Sequence, residues 1–211
     1  MISNLSRLAQ NFEPPAWLDT DEVEEDISIF PELRALGIYG VAGTLGTVGR
    51  MGRLPKSISR LFEFGSSYGE GLVALDMLAR TKDGAEVTGS EIEPDSLYIA
   101  RQVANILPSV TGVEQNGIHA LTANVRGFDV ILANMFGPSY NDESAPAMFI
   151  PPALVALSEG GVIILNSDPK TMKNVGSWVQ RNLRPGQAEA IDSDLLPMGL
   201  RVATPHMIIT K

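Results

Sequence analysis

The chain has 211 residues, 44% of them hydrophobic, enough for one sizeable α/β domain with a full core and too few for two comfortable ones. With no cysteine there can be no disulfide, thiolate zinc site or cysteine nucleophile, and with only His119 and His206 there is no histidine-rich metal site. The formal net charge of −9 argues against a polyanionic partner such as nucleic acid, whose binding usually rests on a basic surface. No basic region followed by an apolar run opens the chain. The uncharged stretch over residues 35–49 falls short of the roughly 20 apolar residues a membrane span needs. The expectation is a soluble, cytoplasmic protein with no membrane partner; the oligomeric state leaves no trace in the sequence.

Residues 8–33 contain no lysine or arginine while Glu13, Asp19, Asp21, Glu22, Glu24, Glu25, Asp26 and Glu32 accumulate. Such a run reads as a solvated lead-in more readily than as an arm that attracts a basic substrate, and Trp17 and Phe30 give it something to dock with. Gly37, Gly40, Gly43, Gly46, Gly49 and Gly52 then fall at every third position. Each glycine disfavours a helix by about 1 kcal/mol relative to alanine. The segment is therefore expected to be flexible, or a short helix packed closely on something. A hinged lid over a pocket and a loose linker remain equal alternatives. Arg50, Arg53 and Lys56 beside Pro55 mark its end, so residues 1–58 are set apart as an N-terminal arm or lid and 59–211 as the main domain.

From Ser59 onward, strand and helix patterns alternate, which implies a doubly wound, mostly parallel sheet with helices on both faces. Strands are expected over 60–64, 85–92, 110–115, 128–134 and 161–166. Helices are expected over 69–80, from Pro94 with Ile99, Val103, Ile106 and Leu107 on one face, over 118–125, over 147–157 with its start disturbed by Pro151 and Pro152, and after Asp168 with Met172, Val175, Val179 and Leu183. Two closing strands, 188–192 and 201–210, leave no room for a helix between them. Seven strands result, the last two a terminal antiparallel hairpin.

The chemistry gathers where strands end. Glu63-Phe64-Gly65-Ser66-Ser67-Tyr68-Gly69 joins a strand to a helix through small residues, so free N–H groups and bare backbone meet at one point where a nucleotide-like ligand can lie. Glu91 closes the second strand within Gly89-Ser90-Glu91-Ile92-Glu93-Pro94; an acid at that place accepts hydrogen bonds from ribose hydroxyls. Gln115-Asn116-Gly117-Ile118-His119 follows strand three, and Phe128-Asp129-Val130-Ile131-Leu132-Ala133-Asn134-Met135-Phe136-Gly137-Pro138 is strand four with its exit.

Taken together, these motifs resemble the class I S-adenosylmethionine-dependent methyltransferases over roughly residues 59–211, with serine at Ser67 in place of the middle glycine of the acid-x-Gly-x-Gly-x-Gly signature. The resemblance implies the Rossmann-like methyltransferase fold and S-adenosyl-L-methionine as cofactor. It implies that Gly65 and Gly69, with Ser66, Ser67 and Tyr68 between them, admit the methionine part, and that Glu63 holds the loop and the cofactor's amino group. Glu91, followed by Ile92, is implied at the ribose. The turn at Gly117 and Ile118 would face the adenine, without the acid the family often has there, a place Asn116 could take; His119 reads as a surface histidine. The Ala133-Asn134 exit is similar to that of ribosomal-protein methyltransferases, which implies that Asn134 faces the transferred methyl and orients a nucleophile through its carbonyl. The loop over residues 137–146, with Tyr140, Asn141, Asp142 and Glu143, would border the substrate. The expected activity is methyl transfer to a nitrogen or oxygen nucleophile of a small molecule or protein. Two alternatives stay open: a non-catalytic module that keeps the fold, and a nicotinamide enzyme, since Gly69-Glu70-Gly71-Leu72-Val73-Ala74 also fits Gly-x-Gly-x-x-Gly/Ala.

Overall fold

The computed structural model describes residues 35–123, 127–134, 144–191 and 206–211. The acidic run over 8–33, the strand-four exit beyond Asn134 up to residue 143, Val125, Asp192 and the first part of the last expected strand lie outside the described residues. Helix α1 is Ala35–Arg50, followed by β1 (Arg60–Phe64), α2 (Glu70–Arg80), β2 (Glu86–Ser90), α3 (Pro94–Ala104), β3 (Val110–Glu114) and α4 (Gly117–Ala123). Then come β4 (Phe128–Ala133), α5 (Ala145–Ala156), β5 (Leu157–Asn166), α6 (Pro169–Asn182), β6 (Ala188–Ile191) and β7 (His206–Thr210).

All seven strands form one sheet in the order β3-β2-β1-β4-β5-β7-β6. The first five run parallel, and β7 lies antiparallel between β5 and β6, as the closing hairpin predicts. The order reverses between β1 and β4, so the ends of these strands open the crevice in which doubly wound sheets bind ligands. The inner strands β4 and β5 carry continuous apolar runs, 130–133 and 162–165, because both faces of the sheet are covered there. Leu61, Val130, Leu132, Val162 and Ile164 share a cluster with the buried side chains of α1, α2 and α3. Their neighbours Phe62, Phe64, Ile131, Ala133, Ile163 and Leu165 pack with those of α4, α5 and α6.

The glycine-spaced segment is a closely packed 16-residue helix. Ile38, Val41, Ala42, Leu45 and Val48 are buried at helical spacing, and α1 lies against α2. Burying each larger aliphatic side chain is worth about 1.5–3 kcal/mol, which outweighs the glycines' weak propensity. One glycine serves the approach directly: a Cβ on Gly37 would sit 2.9 Å from Glu70 Cγ at the start of α2. The division at residue 58 thus runs between a helix and a strand that share one core.

Several boundaries move by a residue or two, as at β2, which ends at Ser90 rather than at 92, and the shifts at α5 and β5 have a visible cause. Helix α5 starts at Ala145, with Pro146 in its first turn, so Pro151 and Pro152 fall inside it. Ala147, Met148 and Pro151 are exposed, which places this proline-bearing stretch beside water, where carbonyls lacking an N–H donor can be solvated. Strand β5 begins at Leu157, but its pairing with β4 slips between Phe128↔Leu157 and Val130↔Val162, around Gly160 at φ 74°. The regular ladder therefore begins next to the expected start at residue 161.

Asp129 clamps the starts of the central strands β1, β4 and β5, at the end of the sheet opposite the crevice. Its Oδ2 accepts from the Ser59 N–H at 2.7 Å, the Ser59 hydroxyl at 2.9 Å and the Arg60 N–H at 3.1 Å, while Oδ1 accepts from the Ser158 hydroxyl at 2.6 Å. Burial opposes the charge, but the Ser158, Ser59 and Arg60 donors outweigh it and hold the carboxyl below its usual range. A folded pKa below the unfolded one gives stability that is fully present above the unfolded value of about 4 and is lost as pH falls through the folded value. Asp129→Asn should therefore lower the urea midpoint at neutral pH, with the gap from wild type closing as pH falls below about 4. A gap that stays constant into acid would contradict this clamp.

Candidate active site

Strand β1 ends against β2 with Phe64 opposite Ser90, and the chain then turns sharply. Gly65 has φ 76° and Gly69 has φ 94°, a left-handed region that suits glycine. Ser67 shares that region at φ 48°, so the serine stands in a backbone shape suited to the glycine it replaces. Ser66 N–H donates to Ser90 O at 2.7 Å, and Gly69 N–H to Ser66 O at 2.7 Å, which closes the turn. Gly69 then caps α2 with no side-chain hydrogen bond, so its cap supplies no side-chain acceptor to the N–H groups of the first turn. Among the described residues, nothing lies within 4 Å of a Cβ built on Gly65, so none of them covers the backbone there. At Gly69, by contrast, a Cβ would press on Val103 of α3 at 3.0 Å. One glycine opens the turn and the other packs it.

Glu91 binds the turn from the neighbouring strand end. Its Oε2 accepts from the Ser67 N–H at 2.7 Å, and its Oε1 from the Ile92 and Glu93 N–H groups at 2.8 and 2.9 Å. Two carboxylate oxygens offer about four acceptor positions, so three donors leave one for a ligand hydroxyl. Beside it, Ile92 is 53% exposed, an apolar side chain on the surface next to a polar anchor.

Glu63 lies beneath the turn, buried, and among the described residues its Oε2 has no hydrogen-bond partner. Burial pushes its carboxyl up to about 8, relieved in part by the Ser66 hydroxyl and reinforced by the charges of Glu70 and Glu91. A Cβ on Gly71 would fall on the Glu63 carboxylate, so the first turn of α2 can sit over this acid only with glycine there. Ser90, which the sequence reading quoted without a role, joins the layers: its hydroxyl lies 3.4 Å from the Gly65 N–H that it accepts and 3.3 Å from the Glu63 carbonyl that it donates to.

The structure brings Glu63, Gly65, Ser66, Ser67, Gly69 and Glu91 into one hydrogen-bonded and packed unit. Tyr68 instead turns toward the core and packs against the α1–α3 cluster, half-buried. Gly117 starts α4 so close to the turn that a Cβ would meet the Phe64 ring and Ser90 Oγ at 2.5 Å, while Ile118 packs half-buried against the α4–α6 cluster. Asn116 spends its Oδ1 on the His119 N–H at 3.0 Å, as a cap for α4, and His119 is exposed. Asn134 leaves β4 half-buried, and its Oδ1 accepts from Asn166 Nδ2 at 2.7 Å. Asn166 is the last residue of β5, and a buried His206 stands opposite it on β7. Neither was singled out from the sequence as a site residue. Asn166 was legible as a strand end; His206 gave no signal, because its partner lies across the sheet.

Among the described residues no cluster of His, Cys, Asp and Glu could hold a metal ion, and no helix is long and apolar enough to cross a membrane.

No protein-family model matches the chain, and no curated protein matches it by sequence. Solved structures do match. The O-methyltransferase TomG from Streptomyces achromogenes, in complex with SAM, is 16% identical over 92% of this chain and 91% of its own, with a TM-score of 0.60. An O-methyltransferase from Bacillus cereus, in complex with SAH, is 17% identical over 92% of each chain, with a TM-score of 0.60. This chain has the Rossmann-like methyltransferase fold. An rRNA methylase from Streptococcus thermophilus shares it at 13% identity, over 82% of this chain and 96% of its own, with a TM-score of 0.56.

The buried acid carries a sign that can be measured. With a folded pKa of about 8 against an ordinary 4.5, Glu63 gives stability that is fully present below the unfolded value and is lost as pH rises through about 8. Glu63→Gln cannot ionise, so its urea midpoint should fall less over that window than that of the wild type. Equal slopes in the two proteins would show that the acid is not held neutral beneath the turn.

Proposed function

We propose that the chain is an S-adenosylmethionine-dependent methyltransferase that moves a methyl group to a nitrogen or oxygen nucleophile of a small molecule or protein. The observation that carries this reading is the pairing of Glu91 with the open Gly65. A carboxylate that the described residues leave with one acceptor position stands beside Gly65, whose backbone no described residue covers, on adjacent strand ends. A nucleoside joined to an amino acid fits that pair. Glu91 would accept from a ribose hydroxyl, Ile92 would lie along the base, and the methionine part would cross the bare backbone at Gly65. The uncapped first turn of α2 favours a carboxylate, and the unpartnered Glu63 Oε2, if protonated, keeps a second negative charge away from it.

When bound, this cofactor supplies a methyl group already activated on a sulfonium, so the protein's share is placement. Asn134 is the residue for that task. Its Oδ1 gives one acceptor position to Asn166 and keeps a second, which would take an N–H or O–H of the incoming nucleophile and aim its lone pair. The acceptor class is left to the rest of the surface. The solved structures of this fold include O-methyltransferases and an rRNA methylase, and the net charge of −9 favours small molecules or proteins over RNA. A cytoplasmic location accords with the absence of cysteine.

Calorimetric titration tests both cofactor and residue. S-adenosylhomocysteine should bind the wild type and NADH should not, and Glu91→Ala should weaken the former at least tenfold, about 1.4 kcal/mol. Tight binding of NADH alone would overturn the cofactor assignment. An unchanged affinity in Glu91→Ala would overturn the ribose contact.

A further inference from the structure

We infer that Glu63 serves the crevice as a neutral acid, whose proton lets the first turn of α2 receive a ligand carboxylate and so sets the pH range over which the cofactor binds. The inference rests on the cofactor reading above and adds a residue that gates the same site.

The carboxyl and the ligand share one helix start. Glu63 is 1% exposed and pairs in the sheet with Gly89 of β2 on one side and Leu132 of β4 on the other. A Cβ on Gly71 would overlap the Glu63 carboxyl, so the acid lies directly against the first turn of α2. Gly69 brings no side chain to that turn as its cap. The place to which the cofactor's carboxylate is assigned is therefore the place beneath which Glu63 is buried.

Hydrogen bonding decides which form of the acid can stay there. Glu63 Oε2 and Ser66 Oγ are both buried, and among the described residues neither has a hydrogen-bond partner. A buried carboxylate without donors loses its hydration and gains little in return, whereas a neutral acid forgoes only the bond of its O–H. The Ser66 hydroxyl is near enough to ease the charge in part, without hydrogen-bond alignment.

The surrounding charges point the same way. Glu70 at the start of α2 and Glu91 after β2 both act on Glu63, and with burial, the larger cause, they raise its carboxyl to about 8. Its sheet neighbours Gly89 and Leu132 carry no charge, and Tyr39 of α1 and Tyr68 of the turn pack into the α1–α3 cluster. A carboxylate arriving at the same helix start is a further like charge, which holds the Glu63 proton in place. Ionised, Glu63 would cancel the partial positive charge of the helix start that draws the ligand. Linkage then fixes the sign: binding is fully present below the midpoint of the empty site and is lost as pH rises through it. Glu63 is thus a positioning residue that acts through the field of α2.

Calorimetry with S-adenosylhomocysteine across pH reads this gate. Between about pH 7 and pH 9 the wild-type affinity should fall about tenfold more than that of Glu63→Gln, because the neutral share of an acid with a midpoint of about 8 falls tenfold there. Glutamine stays neutral, so the variant's curve carries the titration of the ligand and of the rest of the protein. Equal slopes would overturn the gate and leave the cofactor assignment standing. If Glu63→Gln does not fold, carbon-13 detection of the wild-type Glu63 carboxyl carries the test. Its titration midpoint should move up when S-adenosylhomocysteine is added. A midpoint that stays, or one that falls as contact with the ligand's ammonium would make it, would overturn the gate. Lack of binding at every pH would overturn the cofactor assignment and the gate together.

Discussion

The carboxylate of Glu91 is the tie on which the crevice depends. It gathers N–H groups from two loops, Ser67 after β1 and Ile92 and Glu93 after β2, and so makes two adjacent strand exits a single surface. Once Ser67 is held there at positive φ, Gly69 follows into α2 and Gly71 comes to rest over Glu63. The buried acid then has no room for solvent, and its carboxyl is driven upward. Helix α1 closes the same side, with Gly37 against the first residue of α2. Loop, acid and helix are thus consequences of one hydrogen-bonded corner.

The crevice has two halves of different character. At β1 and β2 it is backbone: bare at Gly65, rich in N–H groups at α2 and anchored by a single carboxylate. At β4, β5 and β7 it is side chain: a row of amides and an imidazole running from the half-buried Asn134 into the core. The first half suits a ligand recognised by shape and ribose. The second suits a group that must be held at one angle. Solved structures below 20% identity share the sheet that unites these halves, since the fold asks only for apolar strands covered on both faces and a tight turn after β1.

Much of this was legible in the sequence because it is local. The five parallel strands, the turn at Gly65–Gly69, Glu91 and Asn134 at strand ends, and the antiparallel closing pair all follow from patterns within a few residues. Helix α1 was left open because its glycines argue against a helix, and the burial that outweighs them is tertiary. The prolines of α5 suggested a disturbed start, whereas the helix extends upstream to Ala145 and carries them on a stretch beside water. Tyr68 reads as a pocket residue in its motif yet packs inward. The Thr44–His206–Asn166–Asn134 row was invisible, because its links join residues 162, 40 and 32 positions apart.

The central claim is that one corner, tied by Glu91 and opened by Gly65, receives S-adenosylmethionine. A crystal structure of the chain with S-adenosylhomocysteine tests it most directly. The account predicts ribose hydroxyls on the Glu91 carboxylate, the amino-acid part across Gly65 toward the first turn of α2, and the sulfur on the side of Asn134. Ligand bound away from this corner, or reversed so that the ribose avoids Glu91, would contradict it.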